Sequence, residues 1–555
     1  MKLTLNRPRP QAAAAAPPLP EYPCLAEDVV VHEPAEAGAP WIVQFDAGRY
    51  LRVGAGMARL LRSADGTRTA GDIAAVLGAP WTAELVGEGL TRAQRMELLR
   101  GTDRKTAARR RFAFVPPLTF QFTVVRPERF LARFRPLAAR LAHRSWAAAL
   151  VALVVVGILC LAFQLPALAD ALSRPVSVST LITLVVVTYV GTVLHEMAHG
   201  IVLSHYGGKP SRMGVMLFYL TPAFFCDVTD GWRLPGSGQR VRIALAGITT
   251  QAAIGGVSGI AAAAVALTGG SPGVRDTLLL LTLTTFVSGV FNALPFVKLD
   301  GYLALMSHLD ISHLRDRSMT DARRLVARVL FGGRYERALP GVSWAPLFGL
   351  VCMVFPVYVL AMAFTVWQSM LEAMGLVGAT VVSLGLAYLA LRLYSGALRL
   401  GAEARAAGAR RWRIWAVSLV VLAALTGIAR EVTLPYTVSG GFVQRDGRVL
   451  FVATGAADLD AVTPGATVRL RGSGIVLHED LGEARVAGSK PVQVEAPFSV
   501  FAPVAGLDSM KLPATGVPLR VNRPPAAATG LAEVDAGRRG VGDWLYLRYL
   551  APFWR

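Results

Sequence analysis

Two histidines and a glutamate stand together in the stretch VLHEMAHGIVLSHYGGK, which runs from residue 193 to residue 209. In an α-helix, residues four apart share a face, so His195 and His199 can bind one metal ion through their imidazole nitrogens. Glu196 lies beside the first histidine, where it can contact a metal-bound water. This HExxH spacing is typical of zinc hydrolases, in which the metal lowers the pKa of a water molecule and the glutamate takes its proton.

An uncharged stretch, PVSVSTLITLVVVTYVGT, precedes these residues and is apolar enough to lie in a bilayer. Ionisable side chains near lipid are costly and are kept mainly where they have a function. The alternative is a pair of hydrogen-bonded histidines with a purely structural role, and the spacing favours metal binding over it. His205, His308 and His313 lie outside the motif, and we expect none of them to bind the metal.

The composition is that of a membrane protein with several spans. Of 555 residues, 53% are hydrophobic and only 17% are charged, which excludes an ordinary soluble protein. The formal net charge of +20 is explained by basic cytoplasmic loops, and we expect no nucleic-acid partner. The four cysteines are scattered and form no disulfide framework. The Ala, Arg and Gly bias suggests a bacterial source and hence the bacterial cell membrane.

Seven runs are long and apolar enough to cross a bilayer, for which about 20 residues suffice. They cover residues 146–168, 176–204, 241–267, 277–299, 344–367, 377–393 and 414–428. The loop after the fourth run holds seven arginines between residues 315 and 337, and the loop after the sixth is also arginine-rich. The positive-inside rule therefore predicts a cytoplasmic N-terminus and an extracytoplasmic C-terminus.

A catalytic zinc needs a third protein ligand and one open position. The fourth run ends in FVSGVFNALPFVKLDGY, and Asp300 in this segment is predicted at the same depth as His195. We therefore expect Asp300 to be the third ligand. The alternative is that Asp300-Gly301 only forms a helix-ending turn. Two further carboxylates, Asp227 and Asp230, are interpreted as polar surface or turn residues.

Outside the apolar runs, the sequence predicts a disordered N-terminus, a small domain, a basic segment and a C-terminal β-rich domain. Residues 1–24 are rich in Pro and Ala and are expected to be disordered, without a signal peptide. Residues 25–100 predict a small domain with a β-hairpin turning at Ala47-Gly48 and two short helices broken at Asp65-Gly66. Residues 101–145 form a basic juxtamembrane segment before the transmembrane domain, residues 146–430. Residues 431–555 alternate as a β-rich domain does and end in GDWLYLRYLAPFWR, which either lies at the membrane interface or completes a core.

The two motifs together resemble the site-2 protease family of intramembrane zinc metalloproteases. That family pairs HExxH with a later N-x-x-P-x-x-x-L-D-G motif, and the second motif is present here in full, as Asn292, Pro295, Leu299, Asp300 and Gly301. The resemblance covers residues 176–305. It implies that zinc is held by the two histidines and the aspartate, that the glutamate is the base, and that the asparagine binds substrate or stabilises the oxyanion.

The resemblance has one departure and one further implication. Many members carry Gly-x-x-x-Asn on the intervening span, whereas AGITTQAAIG places Gln251 at the asparagine position. Gln251 is therefore a tentative substrate-binding residue. The segment at residues 213–235 is interrupted by Pro222 and Asp227 and looks like the family's re-entrant or sheet-like element beside the active site, which is tolerated where protein or water surrounds it.

The N-terminal domain resembles the small winged-helix-like peptide-recognition domain of the pyrroloquinoline-quinone chaperone (PqqD-like) type. The pattern is a strand pair, a helix and then D-G-T-x-[ST], which fits residues 65–69, DGTRT. Such domains bind leader peptides by adding a strand to a sheet edge. Joined to a site-2 protease core, the domain looks like the membrane metalloproteases of modified-peptide clusters, including the daptide type.

The expected fold is thus a polytopic α-helical membrane protein with a site-2 protease core, an N-terminal winged-helix-like domain and a C-terminal β domain. The expected function is zinc-dependent removal of the leader from a ribosomally made, modified precursor peptide. Two alternatives stay open. One is regulated intramembrane proteolysis of a membrane-anchored regulator, although no Gly-rich carboxylate-binding loop is present. The other is a non-proteolytic peptide exporter or immunity protein.

Overall fold

The computed structural model describes residues 19–34, 41–45, 49–100, 112–115, 119–218, 221–373, 375–445, 447–453, 457–488 and 491–554. The predicted disordered segment at residues 1–24 lies outside these residues as far as residue 18. Cys24 forms a β-bridge with Asp65, so the ordered N-terminal domain includes residues that we assigned to the disordered segment. The predicted hairpin turn at Ala47-Gly48 also lies outside the described residues.

Helices and strands are numbered here in chain order. The helices are α1 (Ala55–Ser63), α2 (Ala70–Leu77), α3 (Ala83–Arg95), α4 (Glu128–Ala132), α5 (Arg135–Leu141), α6 (Arg144–Phe163), α7 (Leu165–Ser173), α8 (Val178–His205), α9 (Ser237–Leu267), α10 (Pro272–Ala293), α11 (Asp300–Leu309), α12 (Leu314–Phe331), α13 (Ala345–Ala373), α14 (Leu376–Ala406), α15 (Arg411–Glu431) and α16 (Val541–Leu545). The strands are β1 (Val30–His32), β2 (Trp41–Phe45), β3 (Arg49–Val53), β4 (Phe112–Val115), β5 (Thr119–Val125), β6 (Val176–Ser177), β7 (Met213–Phe218), β8 (Thr221–Cys226), β9 (Thr433–Arg445), β10 (Arg448–Ala453), β11 (Thr467–Arg471), β12 (Asp480–Val486), β13 (Val492–Pro497), β14 (Val504–Ala505), β15 (Lys511–Val521) and β16 (Thr529–Gly540).

Seven helices of the described chain are long and apolar enough to cross a membrane: α6, α8, α9, α10, α13, α14 and α15. Each coincides with one of the predicted spans. Their apolar side chains are largely exposed, and α15 has no buried residue. A helix that is apolar on all sides without being covered by protein is typical of a lipid-facing span.

Proline accounts for two differences in the span boundaries. The first predicted span continues to residue 168, whereas α6 ends at Phe163 and a separate helix starts just before Pro166. The fourth continues to residue 299, whereas α10 ends at Ala293, two residues before Pro295. Proline lacks the backbone N–H and disfavours helical geometry in the residue before it, so both helices end early.

The chain forms two compact units, of which the first comprises residues 1–150, 189–251 and 303–310. Its N-terminal part is an antiparallel sheet in the order β1-β2-β3, followed by α1, α2 and α3. Val43, Leu60, Leu61, Ile73 and Leu90 are almost fully buried in its core. The helix α3 was not foreseen, and the winged-helix assignment stays a prediction.

The D-G-T-x-T motif has a structural role in this domain. Asp65 accepts hydrogen bonds from the Thr67 backbone N–H at 3.0 Å and from its hydroxyl at 2.7 Å. Thr69 caps the first turn of α2 and forms a reciprocal capping box with Asp72. Such a box satisfies backbone donors that the helix leaves unpaired, so the motif terminates one helix and starts the next.

The first unit also contains a second antiparallel sheet in the order β4-β5-β7-β8. The hairpin of β7 and β8 falls within residues 213–235, so the expected sheet-like element is present. Gly214 lies against β5, where an added Cβ would be 2.0 Å from the carbonyl oxygen of Phe122. The segment predicted as basic and juxtamembrane supplies β4, β5, α4 and α5.

The second unit comprises residues 151–188, 252–302 and 311–555, and it ends in a β-barrel. Six strands follow the order β10-β9-β16-β11-β12-β15, and pairing of β10 with β15 closes the sheet; β13 is added to β15. Phe442 and Phe451 are fully buried inside it. The predicted C-terminal β domain is therefore a barrel.

Three contacts attach the barrel to the helices of its own unit. Strand β14 pairs in parallel with β6. The Ile475 N–H donates to the carbonyl of Leu172 at 3.0 Å. Arg548 forms an ion pair with Glu372 at 2.5 Å, and both side chains are largely buried. Tyr549 is buried and Trp554 is 73% exposed, so the aromatic ending completes a packed element with its first part and leaves its last part exposed.

Candidate metal centre

The two histidines of HExxH face each other across one turn of α8. Their Nε2 atoms are 3.1 Å apart, and both residues are only 5% exposed. Two nitrogens bound to one tetrahedral zinc at 2.0–2.1 Å would be about 3.4 Å apart. His195 and His199 therefore stand at the separation that a shared metal ion requires.

A backbone carbonyl orients the second histidine. The Nδ1 atom of His199 lies 2.7 Å from the carbonyl oxygen of Ile243 on α9. Because a carbonyl only accepts hydrogen bonds, Nδ1 carries the proton and donates it. The Nε2 atom then carries the lone pair and faces His195. Such a hydrogen bond to the distal ring nitrogen fixes the tautomer and the orientation of metal-binding histidines.

Gly247 allows α9 to lie against the other histidine. An added Cβ at this glycine would be 2.4 Å from Cε1 and Nε2 of the His195 ring, which is far inside van der Waals contact. Only glycine fits there with the ring in its present position. The sequence alone does not indicate this role, although Gly247 is the glycine of the Gly-x-x-x-Asn pattern in which Gln251 takes the asparagine position.

Asp300 lies close to the two histidines. Among the described residues, His195, His199 and Asp300 form the one group of three or more His, Cys, Asp or Glu side chains able to hold a metal ion, with their ligand atoms all within 4.8 Å of one another. Two imidazoles and a carboxylate suit a divalent cation such as zinc and leave the fourth tetrahedral position for water or substrate.

Asp300 reaches this position from a different element than expected. It was predicted at the end of the fourth span and alternatively as a helix-ending turn, but it is the first residue of α11. The next residue explains the Asp-Gly pair. A Cβ at Gly301 would lie 2.0 Å from the carbonyl oxygen of Ala293, so glycine is required for the connection to fold back on the end of α10.

Glu196 is held beside the histidines by the second sheet. The backbone N–H of Cys226, the last residue of β8, donates a hydrogen bond to Glu196 Oε2 at 2.8 Å. The glutamate is half-buried and is not one of the three metal-binding side chains. This hydrogen bond orients its carboxylate.

Gln251 and Asn292, the two residues predicted to bind substrate, lie on α9 and α10. Gln251 is 8% exposed and lies four residues after Gly247, on the same face of α9. Asn292 is half-buried and is the penultimate residue of α10. Their roles in substrate binding stay predictions.

The two further carboxylates, Asp227 and Asp230, have different surroundings. Asp227 forms a turn, as expected. Burial opposes its ionisation, but hydrogen bonds from Thr229 and Ser211 hold the pKa of Asp227 below its usual range. Asp230 is only 9% exposed and lies in a short 3-10 helix, so of the two interpretations, surface or turn, the surface one is wrong. It accepts hydrogen bonds from the Tyr50 hydroxyl and from the Lys209 N–H, both at 2.7 Å.

Three histidines were expected not to bind the metal. None of His205, His308 and His313 belongs to the metal-binding group in the described part of the chain. His205 ends α8 and packs edge-on against Tyr206 instead.

The resemblance to the site-2 protease family rests on the sequence motifs alone. Comparison with family models, with curated proteins and with solved structures finds no match for this chain.

Proposed function

We propose that this protein is a membrane-embedded zinc endopeptidase that removes the leader from a modified precursor peptide. The observation that carries the proposal is the grouping of His195, His199 and Asp300, with Glu196 beside the first ligand. Two histidines and a carboxylate with an adjacent glutamate are the parts of a metallopeptidase site.

Each group has a distinct role in the proposed mechanism. The two histidines and Asp300 would hold zinc, which when bound supplies a Lewis acid that activates water and polarises a carbonyl. Glu196 accepts a proton from the attacking water and delivers it to the departing amine. Its hydrogen bond from Cys226 holds the carboxylate at the place where the proton is transferred. Asn292 and Gln251 bind the substrate backbone.

The sheet beside the site favours an extended substrate. Within the described residues, β8 pairs with β7 on one side only. A peptide added as a further strand to β8 would place its backbone near Glu196, since the last residue of β8 contacts that side chain. The peptide bonds of a helix are inaccessible, so a strand is the conformation in which hydrolysis is feasible.

The seven apolar helices support a proposed membrane topology. Seven crossings would place the ends of the chain on opposite sides, and the arginine-rich loops favour a cytoplasmic N-terminal domain. The barrel would then be extracytoplasmic. The C-terminal ends of α8 and α10 would both be cytoplasmic, so the active site would open toward the side on which a precursor is made.

Recruitment of the precursor is assigned to the N-terminal sheet. In the described part of the domain β1 pairs only with β2, and Val30 on β1 is 47% exposed. An edge strand with unpaired backbone groups is a template for an added strand. A leader peptide pairing with β1 would hold the precursor at the membrane surface.

Metal removal tests the proposal. The protein in liposomes is incubated with a candidate precursor peptide, and the masses of the products are measured by mass spectrometry. We expect two fragments whose masses sum to the precursor plus one water, loss of cleavage with a zinc chelator, and recovery with added zinc.

The controls separate the alternatives. A leaderless precursor is expected to be cleaved poorly at low concentration. Cleavage of a membrane-anchored regulator but not of the precursor would favour regulated proteolysis. Bound zinc without cleavage of either substrate would contradict a protease and favour the exporter or immunity role.

A further inference from the structure

One strand of the N-terminal domain contacts the segments that follow both metal-binding helices. Tyr50 and Arg52 are two residues apart on β3 and so project to the same side. The Tyr50 hydroxyl donates to Asp230 Oδ1 at 2.7 Å, and Arg52 Nη1 donates to Asp310 Oδ2 at 2.8 Å. The partners are 180 and 258 residues away in the sequence, so these contacts belong to the tertiary structure.

The first contact leads to the helix that carries the histidines. Asp230 also accepts the backbone N–H of Lys209 at 2.7 Å, four residues after the end of α8 at His205. Burial, together with the bond to Asp230, raises the pKa of the Tyr50 hydroxyl. The hydroxyl therefore keeps its proton near neutral pH and donates it to the carboxylate. Tyr50 is thus linked through one buried aspartate to the C-terminal end of α8.

The second contact leads to the helix that carries the third ligand. Asp310 immediately follows α11, which starts at Asp300. Its two oxygens accept from Arg52 and, at 2.6 Å, from Arg240. Both guanidinium groups also lie over the ring of Trp232, at 5.6 and 5.7 Å from its centroid. The hydrogen bond from Arg52 holds the pKa of the Asp310 carboxyl below its usual range.

Fixing the far end of a short helix also fixes its first residue. A helix of ten residues is about 15 Å long and stiff over that length. Movement at Asp310 is therefore transmitted to Asp300. The same reasoning applies to the end of α8, where His199 lies less than two turns before His205.

We propose that β3 is a positioning clamp for the metal centre, in which Tyr50 and Arg52 hold the ends of the helices that carry the ligands. The inference rests on the proposed zinc centre. It goes beyond recruitment, because the docked domain would be needed even for peptides that lack a leader. Tyr50 and Arg52 are positioning residues and touch neither zinc nor substrate.

The affinity for zinc, measured on the full chain in detergent by competition with a chelating dye, tests this directly. Mutation of a residue that hydrogen-bonds to a metal ligand typically lowers metal affinity about 10- to 100-fold. We expect Arg52→Ala to weaken zinc binding by about tenfold. Arg52→Lys keeps the charge and should restore part of the affinity. Arg62→Ala is the matched control, because Arg62 pairs with Glu33 at 2.7 Å and lies over Trp41 within the domain itself.

Kinetics provide the second measurement. With a leaderless peptide, Arg52→Ala should lower kcat and leave KM nearly unchanged, whereas loss of recruitment alone would raise KM for the full precursor only. If Arg52→Ala does not fold, the conservative changes Tyr50→Phe and Asp310→Asn replace it. A zinc affinity equal to that of the wild type in these variants would overturn the clamp. Wild-type protein that binds zinc but cleaves nothing would contradict the proposed function and leave the affinity test intact.

Discussion

The ligands of the metal centre depend on the small residues packed against them. Gly247 lies against the His195 ring, and Gly301 lies against the carbonyl of Ala293 beside Asp300. At Gly247 the space for a side chain is occupied by a candidate ligand, and at Gly301 it is occupied by the backbone at the end of α10. Both glycines are therefore needed for this arrangement of the candidate ligands, although neither can bind a metal.

Gly247→Ala is predicted to damage the metal centre selectively. The new methyl group would lie 2.4 Å from the His195 ring, so the ring or α9 must move. We expect zinc affinity to fall at least about tenfold, as for other changes beside a ligand, with the chain still inserted in the membrane. Gly238→Ala on the same helix is the control, since nothing lies within 4 Å of its added Cβ. Equal zinc affinity in both variants would contradict this account of Gly247.

The ligands could be predicted from the sequence, and their supporting contacts could not. The i, i+4 spacing of His195 and His199 predicts a shared face whatever the tertiary structure, and Asp300 was predicted from its depth in the membrane and from the second motif. The hydrogen bonds from His199 to Ile243 and from Cys226 to Glu196 join residues 44 and 30 positions apart. They depend on how elements pack, which one sequence does not contain.

Among the secondary-structure elements, the connection from α10 to α11 determines where the third ligand lies. Arg315 on α12 donates through Nε to the carbonyl of Phe296 at 3.1 Å and through Nη2 to that of Cys352 at 3.4 Å. Its own N–H donates to the Tyr302 hydroxyl at 3.3 Å. Arg315 thus links the connection between α10 and α11 to α12, on which it lies, and to α13.

Arg315→Ala is predicted to destabilise this part of the protein. It leaves two backbone carbonyls without their partner, and an unsatisfied group costs roughly 1–3 kcal/mol when it is buried. We expect a lower melting temperature in detergent. Lys298→Ala is the matched control in the same connection, because its ion pair with Asp316 is about half exposed and such pairs contribute only about 0–1 kcal/mol. A larger loss for the lysine variant would show that the carbonyl contacts are unimportant.

Secondary structure was predictable where composition alone determines it. All seven membrane-length helices coincide with apolar runs, since length and hydropathy suffice to identify them. The ends at Phe163 and Ala293 were missed because the apolar composition continues past the point at which proline ends the helix. The β7–β8 hairpin was expected only as a re-entrant or sheet-like element, because its pairing with β5 joins segments far apart in the chain.

For the whole molecule, the two soluble parts are attached by contacts that no local pattern reveals. The N-terminal domain contacts Asp230 and Asp310, and the barrel contacts β6 and Glu372. Each of these contacts joins residues within one compact unit.

In the proposed mechanism, Glu196 acts as a base beside a zinc ion held by three other side chains. Glu196→Gln keeps the size of the side chain and removes the carboxylate. The direct test measures zinc per chain and precursor cleavage on the same preparation, with His205→Ala as the histidine control. We expect about one zinc per chain and no cleavage for Glu196→Gln, and wild-type values of both for His205→Ala. Undiminished cleavage by the Glu196→Gln variant would contradict it.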